Sequence, residues 1–208
     1  MPDFKPTLFV IDDDASVRKS LSRLLKALGF VVETFESAEH FLAREAYQGV
    51  GCIVLDVSMP GLSGMDLQER LGKAEYNLPI VFLTGHGNVP TSARAFKAGA
   101  VDFLEKPFEE KDMVEAVSRG IEKHRILRQE QDEIRALRSK ADTLTPRELE
   151  VFRHVTAGML NKQVAFDLGI TEKTIKVHRA RVMEKMGAQS LAELVRFAEK
   201  LGIHSSTV

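Results

Sequence analysis

Within the first 120 residues, five short apolar runs alternate with segments of helical spacing. The runs are TLFVI (7–11), VVETF (31–35), CIVLD (52–56), PIVFL (79–83) and VDFLE (101–105), each too short for a helix and rich in β-branched or aromatic residues. After the first, Val17, Leu21, Leu24, Leu25 and Leu28 recur by three and four, and Gly29 stops the series. Phe41 and Leu42 belong to a second such helix, Leu67 and Leu71 to a third, and Ala93, Phe96 and Lys97, before Gly99, to a fourth. Successive strands joined by helices run parallel, and near-continuous apolar strands must be covered on both faces. The alternation predicts an α/β domain with a doubly wound, five-stranded parallel sheet in the order 2-1-3-4-5. Ligands of such sheets bind beyond the carboxyl ends of the strands.

Those ends carry the polar chemistry. The first strand runs into Asp12, Asp13 and Asp14, and the third ends on Asp56, its neighbour across the switch point. Thr84 closes the fourth strand in FLTGHG, and Lys106 follows the fifth in FLEKPF. Adjacent carboxylates repel, and burying one without a partner costs several kcal/mol, so strand ends that deliver this much acid point to a shared cation. Oxygen ligands with no Cys or His nearby suit Mg²⁺, with Asp12 and Asp13 as ligands and Asp14 as the N-cap of the following helix. Asp56 is then a plausible nucleophile that accepts a phosphoryl group as an acyl phosphate. Such a transfer needs charge neutralisation and positioning, which Lys106 and the Thr84 hydroxyl can supply at the phosphoryl oxygens.

Beyond residue 120 the pattern changes. Met113, Ala116, Val117 and Ile121 start a helical spacing that EKHRILRQEQDEIRALRSK (122–140) continues without Pro or Gly. This reads as a stiff helical linker, with a coiled-coil seam as an alternative whose heptads His124, Gln131 and Arg138 interrupt. Residues 143–203 hold no strand-like run. Thr145, Pro146 and Glu148 form a capping-box start, Gly158 a stop, and Thr171 and Ser190 cap later helices. The tight connection Leu168–Thr171 joins two of these helices as a helix-turn-helix. The expected division is a domain at 1–121, a helical linker at 122–141 and an all-α four-helix domain at 142–208.

Charge follows the same division. Residues 1–120 hold 13 Lys and Arg against 18 Asp and Glu, whereas 121–208 hold 16 against 12. An acidic first part and a basic second part imply different partners. Between 161 and 185 six cations, Lys162, Lys173, Lys176, Arg179, Arg181 and Lys185, face three acids. With Ile175 and Val182 turned to the core, the second helix of the pair would expose Thr174, Lys176, Val177, Arg179 and Arg181. Cations for phosphates and guanine edges beside a small apolar group for the thymine methyl make a major-groove surface, and a solvated helix face is the plainer reading of the charge alone. Thr171 at the helix start and Lys162 on the preceding helix complete the DNA-contact set.

Together these motifs resemble a known family. Residues 5–120 resemble the receiver domain of two-component response regulators, through VIDDD, LDVSMPGLSG, LTGHG and EKPF in the right order and spacing. The resemblance implies that a partner histidine kinase phosphorylates Asp56. It also implies Mg²⁺ on Asp13, Asp56, the Ser58 backbone carbonyl and, through water, Asp12. Lys106 would contact the phosphoryl group, and Thr84 and Phe103 look like the switch pair. Gly85 stands where many receivers have alanine, and with GHGNVP and AFKAGAVDFLEKPF it is similar to the FixJ branch. LTPRELEVFRHVTAGMLNKQVAFDLGITEKTIKVHRARVMEKMG looks like the LuxR/NarL/FixJ-type effector domain. That implies double-stranded promoter DNA as partner, homodimerisation on phosphorylation, and a last helix (Ser190 to Leu201) that pairs two copies. An aspartyl-phosphate hydrolase could use the same acid cup, but it would need a substrate-capping domain where this chain has a helix-turn-helix. A DNA-binding protein with a degenerate receiver would not keep the whole acid, threonine and lysine set.

No apolar run approaches the roughly 18–20 residues that span a bilayer, and MPDFKPTLFV lacks a secretory pattern, so no membrane partner is expected. The single Cys52 lies inside an apolar run, which fits a core thiol in a reducing, cytoplasmic setting.

Overall fold

The computed structural model describes residues 5–45, 47–73, 78–85 and 89–203; His86 to Asn88 of the GHGNVP motif lie outside them. The chain divides into two compact units, Met1–Arg128 and Gln129–Val208.

In the first unit, β1 (Thr7–Ile11), β2 (Val31–Phe35), β3 (Gly51–Asp56), β4 (Ile80–Thr84) and β5 (Asp102–Glu105) form a parallel sheet ordered β2-β1-β3-β4-β5. Helices α1 (Ala15–Ala27), α2 (Ala38–Leu42), α3 (Gly64–Lys73) and α4 (Val89–Lys97) connect the strands, and α5 (Glu110–Ala141) follows β5. Side chains alternate across a strand, and the alternation sorts the core into two halves. Leu8, Val10, Cys52, Val54, Val81 and Leu83 pack with Leu21 and Leu25 of α1 and Met113, Val117 and Ile121 of α5. Phe9, Ile11, Ile53, Leu55, Ile80 and Phe82 pack with Phe41, Leu67, Leu71 and Ala95 of α2, α3 and α4. The three central strands are buried along their length, whereas edge strands β2 and β5 are partly exposed.

Cys52 is fully buried, and burial pushes its thiol up to about 12. A thiol held protonated is a poor nucleophile. Native protein is expected to react with a disulfide reagent at least roughly 100-fold more slowly than urea-unfolded protein. Equal rates measured by absorbance would contradict the packing.

Helix α5 is continuous over 32 residues and passes from the first unit into the second. The Gly51 N–H donates to His124 Nδ1 at 2.9 Å, so this histidine interrupts a heptad because it ties α5 to the head of β3. Burial lowers the His124 pKa, aided by Arg128, and the ring is held neutral. Leu137 is also buried within the chain, while Ile126 stays exposed.

The second unit contains the end of α5 with α6 (Pro146–Thr156), α7 (Asn161–Asp167), α8 (Glu172–Met186) and α9 (Leu191–Leu201) around Val151, Phe152, Val164, Ile175, Val182 and Leu194. Thr145 and Glu148 form the capping box of α6, and Thr171 and Ser190 accept hydrogen bonds from Thr174 N–H and Glu193 N–H. Gly169 turns the chain between α7 and α8 at φ +64°, where a side chain would be strained.

Candidate functional site

The acidic rim follows from strand register. Leu8 pairs with Cys52, Val10 with Val54 and Ile11 with Leu55, so the next step along β1 and β3 brings Asp12 beside Asp56. Alternation puts both carboxylates on the side shared by Val10 and Val54. Lys106, just past β5, closes the site: its Nζ donates to Asp12 Oδ2 at 2.7 Å and to Asp56 Oδ1 at 2.6 Å. Asp12 is 1% exposed and Asp56 6%. Their remaining oxygens also have donors, Asp14 N–H to Asp12 Oδ1 at 2.9 Å and Ser58 N–H to Asp56 Oδ2 at 2.7 Å. Burial raises the Asp56 carboxyl above its ordinary range, and Lys106 offsets only part of that effect. Burial works against the Lys106 charge too, but the two carboxylates outweigh it and raise the ammonium.

The three consecutive aspartates occupy three environments. Asp12 turns inward to Lys106, Asp13 is exposed, and Asp14 caps α1 by accepting from Ser16 N–H and Val17 N–H. A residue that the sequence reading did not single out organises this loop. Arg18 Nη1 donates to the backbone carbonyls of Asp12, at 2.8 Å, and Asp13, at 2.9 Å. Its one legible signal is a cation one turn beyond three acids. Crowding is therefore relieved by separation and by two cations.

Thr84 is buried at the end of β4, and its carbonyl accepts from Lys106 N–H at 2.7 Å. Phe103 is half-buried in β5, with its ring 6.1 Å from that of Phe82. Gly64 lies so close behind the site that a Cβ there would fall 2.3 Å from the Asp56 carbonyl oxygen. The donors are all oxygen, the chemistry that a hard dication takes, and the buried Asp12–Asp56 pair fits one. Among the described residues no three His, Cys, Asp or Glu side chains stand grouped for a metal; Asp13, although on the same loop, does not join the buried pair.

On the second unit, Ile175, Val182 and Met186 turn α8 inward, leaving Lys176, Val177 and Arg181 exposed and Thr174 half-exposed. The Thr171 and Thr174 hydroxyls bond to each other at 2.8 Å. Arg179 is half-buried and donates to Asn161 Oδ1 at 3.2 Å, which links α8 to the start of α7. Lys162 is exposed on α7. Lys185, counted among the basic cluster in the sequence, is taken up elsewhere: it donates to Glu148 Oε2 at 2.6 Å and to the Thr143 carbonyl at 2.9 Å.

An acid-rimmed doubly wound domain continued by a helix into a helix-turn-helix unit defines the response-regulator class. Residues 8–118 match the family model "Response regulator receiver domain", and residues 142–198 match "Bacterial regulatory proteins, luxR family". The chain belongs to the two-component response regulators with a LuxR-type DNA-binding domain. It is 45% identical over 202 residues to Nodulation protein W of Bradyrhizobium diazoefficiens, covering 97% of this chain and 89% of that one. It is 44% identical over 192 residues to Transcriptional regulatory protein FixJ of Rhizobium meliloti, covering 92% and 94%. Among solved structures, the response regulator StyR superposes with a TM-score of 0.82 at 46% identity, covering 95% of this chain and 100% of that chain. No helix among the described residues is long and apolar enough to cross a membrane.

Proposed function

We propose that Asp56 is the phosphoryl acceptor of a transcriptional switch. The observation that carries this reading is the Lys106 ammonium spanning two buried carboxylates at neighbouring strand ends. A carboxylate oxygen of Asp56 forms an O–P bond as the P–N bond of a histidine kinase's phosphohistidine breaks, and the imidazole leaves with a proton. Asp13, Asp56, the Ser58 carbonyl and, through water, Asp12 would hold Mg²⁺, which supplies charge neutralisation for the transfer. Lys106 pairs with the phosphoryl oxygens. Thr84 donates its hydroxyl to them, and Phe103 turns further inward as the threonine moves. The same site takes phosphoryl groups from small donors such as acetyl phosphate and loses them slowly to water.

The acyl phosphate biases the receiver toward a dimerising state, and α9 pairs the two DNA-binding units. In function the chain divides into a receiver at 1–121, a helical linker at 122–141 and a DNA-binding domain at 142–208, working in the cytoplasm. Lys162 and Thr171 contact phosphates, whereas Thr174, Lys176, Val177, Arg179 and Arg181 face the major groove.

Binding of the full chain, phosphorylated with acetyl phosphate and Mg²⁺, to a selected site and to random DNA at two salt concentrations tests this reading. Lys162→Ala is expected to weaken both DNAs alike and to reduce the salt slope by about one unit. Lys176→Ala is expected to cost about 1–3 kcal/mol on the selected site, with less effect on random DNA. Arg179→Ala narrows the same gap and also loosens α7 from α8, so Lys176 is the cleaner probe. Equal specificity ratios for all three variants, or no response to phosphorylation, would sink the assignment.

A further inference from the structure

The β1–α1 loop places like charges on three successive residues, and their repulsion favours spreading the loop apart. Two cations oppose that: Lys106 takes the Asp12 carboxylate, and Arg18 holds the backbone. Arg18, one turn into α1, reaches back so that a single guanidinium nitrogen, Nη1, donates to the carbonyls of both Asp12 and Asp13. Among the described residues no carboxylate pairs with Arg18, so both of its hydrogen bonds serve the loop backbone. Two neighbouring carbonyls drawn to one donor fix the peptide planes on either side of the Asp13 Cα. The direction of the exposed Asp13 side chain follows from those planes. The Asp14 N–H, bonded to Asp12 Oδ1 at 2.9 Å, closes the loop on its other side.

We infer that Arg18 is a positioning residue for metal binding. It fixes the backbone of the acidic loop before the cation arrives, so that on Mg²⁺ binding only the exposed Asp13 side chain has to turn toward the buried pair and the ion does not have to order three repelling residues. The inference rests on the reading that Asp12 and Asp13 bind Mg²⁺. Sign separates it from a simpler role. A guanidinium that merely balanced charge would compete with the dication, and its removal would tighten Mg²⁺ binding, more so at low salt. A clamp acts through geometry, so its removal weakens binding at any salt.

The test is calorimetric titration of the metal-free full chain with MgCl₂ at about 0.1 M and about 1 M KCl, together with hydrogen exchange at the Asp14 amide. Arg18→Met keeps the apolar stem and is expected to bind Mg²⁺ about tenfold more weakly at both salts, with Asp14 exchange about tenfold faster. Arg18→Lys, one bond shorter, is expected to weaken binding about threefold, and it carries the test should the Met variant fail to fold. Unchanged or tighter binding in the folded variants overturns the inference while leaving the site assignment intact. Absence of Mg²⁺ binding by the parent chain overturns the site assignment itself, and the inference with it.

Discussion

Asp56→Asn is expected to take up no label from acetyl phosphate and Mg²⁺, at least about a 100-fold loss, because an amide oxygen is not a phosphoryl acceptor of comparable strength. The variant is expected to fold. The amide oxygen can still accept from Ser58 N–H or Lys106, and Lys106 keeps Asp12. Its stability has a definite sign. The folded state raises the Asp56 carboxyl above its unfolded value of 3.8, chiefly through burial, so the native chain binds that proton more tightly than the unfolded chain. Ionising Asp56 therefore subtracts stability as the pH rises from about 4 upward, a loss that the neutral amide escapes. The metal-free variant at pH 7 is expected to match the parent or to exceed it by up to about 1 kcal/mol. Lys106→Met behaves oppositely, because it leaves two buried carboxylates without their cation, and is expected to cost about 3–5 kcal/mol. Urea unfolding of the receiver transition measures both. Labelling of Asp56→Asn at the parent level, or a stable Lys106→Met, would remove the basis of the site.

Glu148→Gln is expected to destabilise the DNA-binding unit by about 2–3 kcal/mol at pH 7 and by almost nothing near pH 2. Glu148 is 2% exposed, and it holds the start of α6 to the end of α8 through Lys185. Lys185 first, and then the Thr145 N–H, lower its carboxyl from 4.5 to about 2. A depressed carboxylate contributes its full stability above about pH 4.5, and that contribution is lost as the pH falls through about 2. Scanning calorimetry of the full chain at pH 7, 5, 4 and 3 should show the gap between parent and variant closing across that window. A gap that stays constant with pH would mean that the pair contributes through packing and not through charge.

Much of this architecture is legible in the sequence because it is local. Strand ends, the caps at Asp14, Thr145, Thr171 and Ser190, and the stops at Gly29, Gly158 and Gly169 depend on residues within four or five positions of each other. Backbone geometry fixes those relations wherever the segment lies. The rim could also be anticipated, since strand order and alternation carry Asp12 to Asp56 once the sheet is parallel. What the sequence left open were the partners of long side chains. Nothing in the order of residues says that Lys185 answers a carboxylate 37 positions away while Lys176 stays on the exposed face. Nor does it say that His124 reaches Gly51 across 73 positions, or that α4 buries Ala95 and exposes Phe96. That Asp12 joins the buried ion pair while Asp13 stays exposed was likewise decided by the tertiary structure. Periodicity is a property of the backbone and survives in the linear sequence. The choice between chemically equivalent partners depends on distance and desolvation, which exist only once the chain has packed.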